Sequence, residues 1–226
     1  MNRGCEDCAV RDRAVCAPLD DAELAALSKL GRRRRLRRGE SVVFEGDDNA
    51  VCANVLSGVL RVNATTPAGR EQTVALLYPA DFLGRPYARS SAHSVTALSE
   101  VELCVFPRTL FERAIGDCSP LENQLLRRTL DDLDRTRHWM MLLGRKSAGA
   151  KVASLLVDMS ERLAPDGGAF NLPLTRGEMA DVLGLNIETV SRQLTRLARD
   201  GMIALHGRRG IELLDSDELG ERAEAA

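Results

Sequence analysis

Three of the six cysteines in this chain of 226 residues lie within its first sixteen positions. Cys5 and Cys8 are separated by two residues, and Cys16 follows after seven more. Thiolate is a soft ligand, and two thiolates two residues apart can bind adjacent corners of one metal centre. The spacing therefore predicts a metal site at the N-terminus that needs a fourth ligand from elsewhere in the chain.

Two other uses of these thiols stay open, namely structural zinc and thiol–disulfide redox chemistry. Activated nucleophiles are not expected, because the acidic residues between Cys5 and Cys8 would not lower a thiol pKa. The N-terminus lacks the apolar segment of a secretory signal, and no apolar run approaches the roughly 18–20 residues of a membrane helix. We therefore expect a cytoplasmic protein, in which clustered cysteines more often bind metal than form disulfides.

The other cysteines and the histidines give weaker indications of a metal site. Cys52 alternates with apolar neighbours and is predicted to lie in the core, whereas Cys118 is held as a reserve ligand. The three histidines are far apart in sequence and show no ligand spacing, so no pattern supports a haem site.

A second set of residues with binding chemistry lies between positions 187 and 197, where the apolar residues recur with the period of a helix. Ile187, Val190, Leu194 and Leu197 would form its buried stripe. Arg can bind guanine with two hydrogen bonds, Glu can accept from cytosine, and Ser or Thr can contact base edges or phosphates. The face opposite the stripe therefore predicts DNA contacts by Glu188, Thr189, Ser191, Arg192, Thr195 and Arg196.

The flanking segments favour a winged helix-turn-helix. Thr175 begins a capping box, and Gly184 permits the left-handed turn between two helices. Two short apolar runs then flank His206–Gly210, which predicts a hairpin wing whose Arg208 and Arg209 reach phosphates. The alternative is an amphipathic helix pair with no role in DNA binding, and the coincidence of caps, two-faced helix and basic wing disfavours it.

The overall charge and the absence of catalytic patterns narrow the class of protein. The net charge is −2, so any contact with nucleic acid must be a local patch. No paired carboxylates, Ser/His/Asp set or phosphate-binding loop supports catalysis, and we expect a protein that is not an enzyme.

The elements that must position these residues fall into four segments. Residues 1–19 form a short polar arm that carries the three thiols. Residues 20–118 open with a helix and continue as many short strands with regular turns, typical of an antiparallel sandwich or barrel. Residues 119–144 form one long helix, and residues 145–226 form a compact helical unit with two strands.

The long helix carries a narrow apolar stripe with a spacing close to seven residues. Such a stripe favours a parallel two-helix homodimer over packing against the helix's own domain. Two threonines interrupt the seam, so the dimer would be marginal and could be switched. The stripe consists of Leu126, Leu130, Leu133, Met140 and Leu143.

These motifs together resemble the CRP/FNR superfamily of bacterial transcription regulators. Residues 57–62, 69–72 and 79–84 are similar to its β-roll signature, and the order of elements matches over about residues 20–215. Residues 188–192 resemble the E-x-x-S-R pattern of the FNR branch, whose Glu, Ser and Arg read a TTGAT half-site. The resemblance implies an α+β fold with an N-terminal antiparallel β-roll like that of cyclic-nucleotide-binding domains, a long dimerisation helix and a C-terminal winged helix-turn-helix.

The resemblance also implies a sensor. The FNR layout joins three N-terminal cysteines to one at the end of the last β-roll strand, a position that Cys104 takes here. It implies a [4Fe–4S] cluster on Cys5, Cys8, Cys16 and Cys104 that promotes dimerisation and binding to a TTGAT-N4-ATCAA-like palindrome under anaerobic conditions. The implied partners are double-stranded DNA, a second copy of the chain and RNA polymerase.

A cyclic nucleotide is not expected as the effector. Arg85 stands where the superfamily's nucleotide pockets place a Glu for the ribose, and Ser91 falls near the position of their phosphate-binding Arg. The alternative to the cluster is a cluster-free regulator of the same superfamily that senses a small metabolite, nitric oxide through haem, or thiol oxidation.

Overall fold

The structure is a computed structural model that describes residue 5 and residues 7–225. The chain divides into two compact units, Met1–Asp134 and Arg135–Ala226, and the division falls inside a long helix. Each unit has its own core, and each is described by itself. Among the described residues, no helix combines the length and the apolar character needed to cross a lipid bilayer.

The first unit is a β-roll of two four-stranded antiparallel sheets with helices at its ends. Its sheets have the strand orders β1-β8-β3-β6 and β2-β7-β4-β5. Alternate residues of these strands, such as Val55, Leu60 and Leu103, form the core between the sheets. The elements are α1 (Asp21–Leu30), β1 (Arg32–Leu36), β2 (Ser41–Val43), β3 (Val51–Ser57), β4 (Leu60–Thr65), β5 (Glu71–Leu77), β6 (Phe82–Leu83), β7 (Ser94–Ala97), β8 (Val101–Pro107), α2 (Arg108–Asp117) and the start of α3 (Ser119–Arg145).

The arginine-rich strand β1 lies at a sheet edge. It pairs with β8 alone, and only Leu36 of its five residues is buried. Arg33 and Arg35 both contact the carboxylate of Glu102 on β8, at 3.0 and 3.3 Å. These charges are typical of an edge strand that must not pair with another chain.

The N-terminal arm is not the polar extension that the sequence predicts. Val10, Ala14, Val15 and Leu19 are buried in a second core cluster with α1, α2 and the outer face of β3 and β8. This cluster forms because the arm covers apolar residues on that outer face of the sheet, which would otherwise lie in water. The arm is therefore an integral layer of the unit.

The second unit is a winged helix-turn-helix. A three-stranded sheet of order β10-β11-β9 supports the helices, so the unit has one strand more than the sequence predicts. Its elements are the end of α3, α4 (Ala148–Leu163), β9 (Ala169–Asn171), α5 (Arg176–Leu183), α6 (Ile187–Arg199), β10 (Ile203–His206), β11 (Gly210–Leu213) and α7 (Ser216–Glu224).

The helices at both ends of this unit have defined boundaries. The long helix α3, expected over residues 119–144, continues to Arg145, and the break comes only at Ser147, which caps α4. The acidic, Ala-rich C-terminal segment forms the helix α7, whose Leu219 is fully buried. The hydroxyl of Ser154 on α4 donates to the carbonyl of Ala223 on α7 at 3.2 Å, so the two helices are joined by polar and apolar contacts.

Candidate metal centre and nucleic-acid interface

The structure brings the four predicted metal ligands together. Cys5, Cys8, Cys16 and Cys104 all line one cavity of about 30 Å³, called here the four-cysteine pocket. The first three come from the arm, while Cys104 comes from the middle of β8 rather than from the strand end that the sequence suggests. A site assembled from the arm and a central strand depends on the arm being folded against the sheet.

The walls of the pocket are mostly apolar. Leu24 and Leu27 of α1, Leu56 of β3 and Phe106 of β8 line it and limit the access of water. The chain passes from α1 to β1 beside it at Gly31, where an added Cβ would come within 3.1 Å of the Cys104 sulfur. Glycine at that position therefore lets the backbone approach the thiol without pushing against the sulfur.

Burial and mutual repulsion control the ionisation of the thiols. Burial, together with the negative charge of Cys5, Cys16 and Cys8, raises the pKa of Cys104 to about 12. Burial also raises the pKa values of Cys5 and Cys16 above the usual range. An activated nucleophile needs the opposite shift, whereas a metal that binds these sulfurs must displace their protons.

Two arginines at the pocket oppose this effect. Arg11 lowers the thiol pKa values of Cys5 and Cys16, and Arg33 lowers those of Cys5 and Cys104. Arg11 also organises the arm, since its guanidinium donates to the carbonyls of Cys16, Ala17 and Leu19 at 2.8–2.9 Å. The pocket thus supplies two positive charges where four thiolates would gather.

The thiols are neighbours without forming the complete coordination sphere of one ion. Within residue 5 and residues 7–225, no three side chains of Cys, His, Asp or Glu form a group that could hold a single metal ion as they stand. Cys52 lies on the same face of β3 as the pocket residue Leu56, but it does not line the pocket. It is fully buried, as predicted for a core residue. Cys118, the reserve ligand, lines a different cavity beside Glu23.

Sequence reasoning missed Asn54, Arg11 and Arg33 as residues of the pocket. Arg11 lies between two predicted ligands in the sequence, and only this position could have indicated that it belongs to the pocket. Asn54 and Arg33 reach the pocket through strand pairing, which no local spacing reveals. Asn54 stands directly opposite Cys104 in the β3–β8 register.

The helix-turn-helix has the caps that the sequence predicts. Thr175 and Glu178 form a reciprocal capping box on α5, and Gly184 adopts φ 61°, ψ 41° after it. Asn186 then caps α6 by accepting from the backbone N–H of Thr189 at 2.8 Å. These local interactions fix the entry of α6, because they satisfy the otherwise unpaired N–H groups of its first turn.

The two faces of α6 are as predicted except at its first residue. Val190, Leu194 and Leu197 are buried, but Ile187 is 47% exposed. Ile187 lies at the start of α6, beyond the end of the packed stripe, and its side chain joins the surface that carries the hydrogen-bonding residues.

The predicted DNA-contacting side chains are accessible. Glu188, Arg192, Thr195, Arg196 and Arg208 are exposed, and Thr189, Ser191 and Arg209 are partly exposed. Among the described residues, the Arg192 guanidinium donates one hydrogen bond, to the Thr189 hydroxyl at 3.2 Å. Arg196 is drawn towards the helix end by Asp200, at 3.6 Å.

The wing is the predicted hairpin, with Gly207–Arg209 at its tip between β10 and β11. His206 and Glu212 face each other across the hairpin at 2.8 Å, below the two arginines. A two-stranded hairpin holds Arg208 and Arg209 away from the body of the unit, where they can meet phosphate groups.

The stripe on α3 leaves large apolar side chains in water. Leu126, Leu130, Leu133 and Met140 are 44–70% exposed in the single chain, and Leu143 is half-buried. A contiguous apolar stripe of this kind is typical of an interface.

The β-roll contains a separate cavity of about 400 Å³ near the two positions considered for nucleotide binding. Arg85 and Ser91 both line it, together with Arg34, Asp48 and His93. The cavity thus brings Arg85 and Ser91 together, and the exclusion of a cyclic nucleotide stays a prediction.

Comparison with known proteins gives matches to both units. Residues 33–118 match a cyclic nucleotide-binding domain, and residues 150–222 match a Crp-like helix-turn-helix domain. The chain is 44% identical to the transcriptional activator protein FnrL of Cereibacter sphaeroides over 97% of this chain and 91% of that protein. It is 43% identical to the nitrogen fixation regulation protein FixK of Bradyrhizobium diazoefficiens over 93% of this chain and 90% of that protein.

The fold also matches a solved structure. FixK2 from Bradyrhizobium japonicum superposes with a TM-score of 0.80 and 30% sequence identity, over 87% of this chain and 98% of that one. The similarity thus extends through the β-roll, the long helix and the helix-turn-helix.

Proposed function

Because the chain belongs to the CRP/FNR family of DNA-binding transcription regulators, we propose that it is an oxygen-responsive member controlled by a [4Fe–4S] cluster. The observation that carries this proposal is the meeting of Cys5, Cys8, Cys16 and Cys104 at one pocket. Three of these thiols belong to an arm whose apolar residues are buried against the sheet and the neighbouring helices. The N-terminal spacing alone does not require these three thiols to lie beside a thiol of β8, so their meeting is independent support for a shared site.

The residues of the four-cysteine pocket fit such a cluster. Four thiols are the ligand set that iron–sulfur clusters use, and the apolar walls keep water away from them. Arg11 and Arg33 offset the negative charge of four thiolates. When bound, the cluster supplies an oxygen-labile link between the arm and the sheet.

The exposed stripe on α3 supports a homodimer. Burying Leu126, Leu130, Leu133 and Met140 against the same residues of a second copy would remove a large apolar surface from water. A dimer with two-fold symmetry presents two α6 helices to half-sites about one turn of DNA apart, roughly 34 Å. The proposed target is a TTGAT-N4-ATCAA-like palindrome, recognised in the cytoplasm under anaerobic conditions, with RNA polymerase as the partner of the bound dimer.

The test is to measure iron, acid-labile sulfide and zinc in protein purified without oxygen, with visible spectra before and after exposure to air. We expect about four iron and four sulfide per chain, as a [4Fe–4S] cluster requires, and an absorbance that bleaches in air. One zinc per chain without iron would assign the pocket to structural zinc. Protein without metal, even after anaerobic reconstitution, would contradict the proposal.

A cluster-free regulator that senses a small metabolite is the second candidate. The cavity of about 400 Å³ in the β-roll favours it, because this volume lies in the range that holds small ligands. DNA binding that responds to a metabolite but is unaffected by air would support this candidate instead.

A further inference from the structure

Strand pairing places a buried carboxamide against the proposed ligand Cys104. Asn54 of β3 and Cys104 of β8 are direct partners in the antiparallel register, so their side chains lie on the same face of the sheet. Cys52 and Leu56 share this face, because alternate residues of a strand point to the same side. Asn54 itself lines the four-cysteine pocket.

The side chain of Asn54 has an unmet hydrogen-bonding requirement. It is only 2% exposed, and its Oδ1 atom has no hydrogen-bond partner within residue 5 and residues 7–225. Leaving such a buried group unpaired destabilises the fold, and an apolar residue would avoid this loss. Asn54 is therefore poorly explained as a core residue of the metal-free fold.

Another buried asparagine of the same β-roll shows the usual arrangement. Asn63 is 4% exposed, its Nδ2 donates to Glu71 at 2.9 Å, and its Oδ1 accepts from the Thr73 hydroxyl at 3.0 Å. The two residues have the same chemistry and similar burial, but only Asn63 satisfies its oxygen within the protein. Among the described residues, no hydrogen bond to Oδ1 therefore fixes which way the carboxamide of Asn54 is turned.

Sulfur atoms decide which end of the carboxamide faces the pocket. Thiolate and sulfide sulfurs accept hydrogen bonds, and the carboxamide carries donors only on its nitrogen. A half-turn about χ2 exchanges the oxygen and the nitrogen with almost no change in shape, so Asn54 can present its N–H groups to sulfur without repacking.

We propose that Asn54 is a positioning residue of the iron–sulfur centre, donating a carboxamide N–H to a sulfur at Cys104. This inference rests on the proposed [4Fe–4S] cluster. Hydrogen bonds to the sulfurs withdraw electron density from the cluster and raise its reduction potential. Asn54 thereby sets how readily the cluster takes up or gives up an electron.

The experiment compares wild type with Asn54→Leu, Asn54→Ser and Asn54→Asp, all reconstituted without oxygen. The measured quantities are iron and sulfide per chain and the potential of the one-electron couple between the 2+ and 1+ cluster. We expect wild-type loading in Asn54→Leu with a more negative potential. Asn54→Ser keeps one donor and should fall between, and Asn54→Asp adds negative charge and should give the lowest potential.

A purely structural role predicts a different result. If Asn54 only supported the fold, Asn54→Leu would lower the melting temperature of the cluster-free protein and leave the potential of loaded chains unchanged. Our inference requires a melting temperature at least equal to that of wild type, since an unpaired buried oxygen is removed. If Asn54→Leu does not fold, the same potential in Asn54→Ser and wild type overturns the inference.

The failure of the two proposals can be told apart. Wild-type protein that takes up no iron and sulfide overturns both the cluster and the role of Asn54. Wild-type protein with a complete cluster whose potential equals that of Asn54→Leu overturns only the role of Asn54.

Discussion

Two cysteines show why burial alone does not identify a metal ligand. Burial raises the pKa of Cys52 and of Cys104 to about 12 in both cases. Only Cys104 has other thiols among the causes of its shift, because only Cys104 shares a pocket with them. At the scale of a single residue, the neighbours of the thiol matter more than its own exposure.

Replacing either cysteine by alanine separates the two roles. Cys104→Ala removes a proposed ligand and should abolish the retention of iron and sulfide after anaerobic purification. Cys52→Ala removes the same atom from a buried site outside the pocket and should retain the full complement, with some loss of melting temperature. Equal iron contents in the two variants would show that Cys104 is not a ligand.

Base reading by α6 is tested at Arg192. Its exposed guanidinium is held only by Thr189, so it is free to form two hydrogen bonds to guanine. Arg192→Ala should weaken binding to the TTGAT palindrome by about 1–3 kcal/mol and reduce discrimination at one base pair.

Arg199→Ala is the matched control, because Arg199 lies on the same helix but is engaged with Asp200 at its C-terminal end. Titrations of wild type and both variants against single-base variants of the site measure the effect. Unchanged discrimination in Arg192→Ala would contradict a base-reading role.

At the scale of elements, the wing is expected to contribute to DNA affinity rather than to base recognition. Arg208 at its exposed tip is expected to meet phosphate, which carries no sequence information. Arg208→Ala should weaken binding to all sequences about equally and reduce the slope of log affinity against log salt by about 1. Affinities measured over a range of salt concentrations, on specific and random DNA, test this; a loss confined to the palindrome would instead assign Arg208 to base reading.

The stripe of α3 determines the oligomeric state in our proposal. Leu130→Glu places a charge in the middle of the stripe and should convert the anaerobic dimer to a monomer while the iron content stays unchanged. Asp131→Lys changes charge on the opposite face of the same helix and should leave the dimer intact. Light scattering coupled to gel filtration measures both; a dimeric Leu130→Glu would place the interface elsewhere.

The elements also show which features the sequence could reveal. Thr175, Gly184 and Asn186 act on residues within a few positions of themselves, so their roles as caps were predictable. The pairing of Asn54 with Cys104 depends on the register of strands distant in sequence, and no local pattern encodes it. Asp215 caps the helix α7 in the same local way, by accepting from the backbone N–H of Glu218.

At the scale of the whole molecule, a net charge of −2 requires DNA binding to depend on local geometry. Two α6 helices related by a two-fold axis can engage both half-sites only at one spacing and one rotational phase. Inserting five base pairs into the four-base spacer rotates one half-site by about half a turn and should reduce binding to that of a single half-site. Gel-shift titrations with the two spacers measure this, and equal affinities would contradict a symmetric dimer on the palindrome.

The buried arm also bears on how quickly the proposed cluster site can be rebuilt after the cluster is lost. Val10, Ala14, Val15 and Leu19 hold the arm in place through contacts that do not involve a metal. The three N-terminal thiols then face Cys104 at a high effective concentration, so that rebuilding the site is closer to an intramolecular closure than to a folding reaction. In our proposal, such a chain binds a new cluster each time oxygen falls, and the cell need not synthesise a new copy for each cycle.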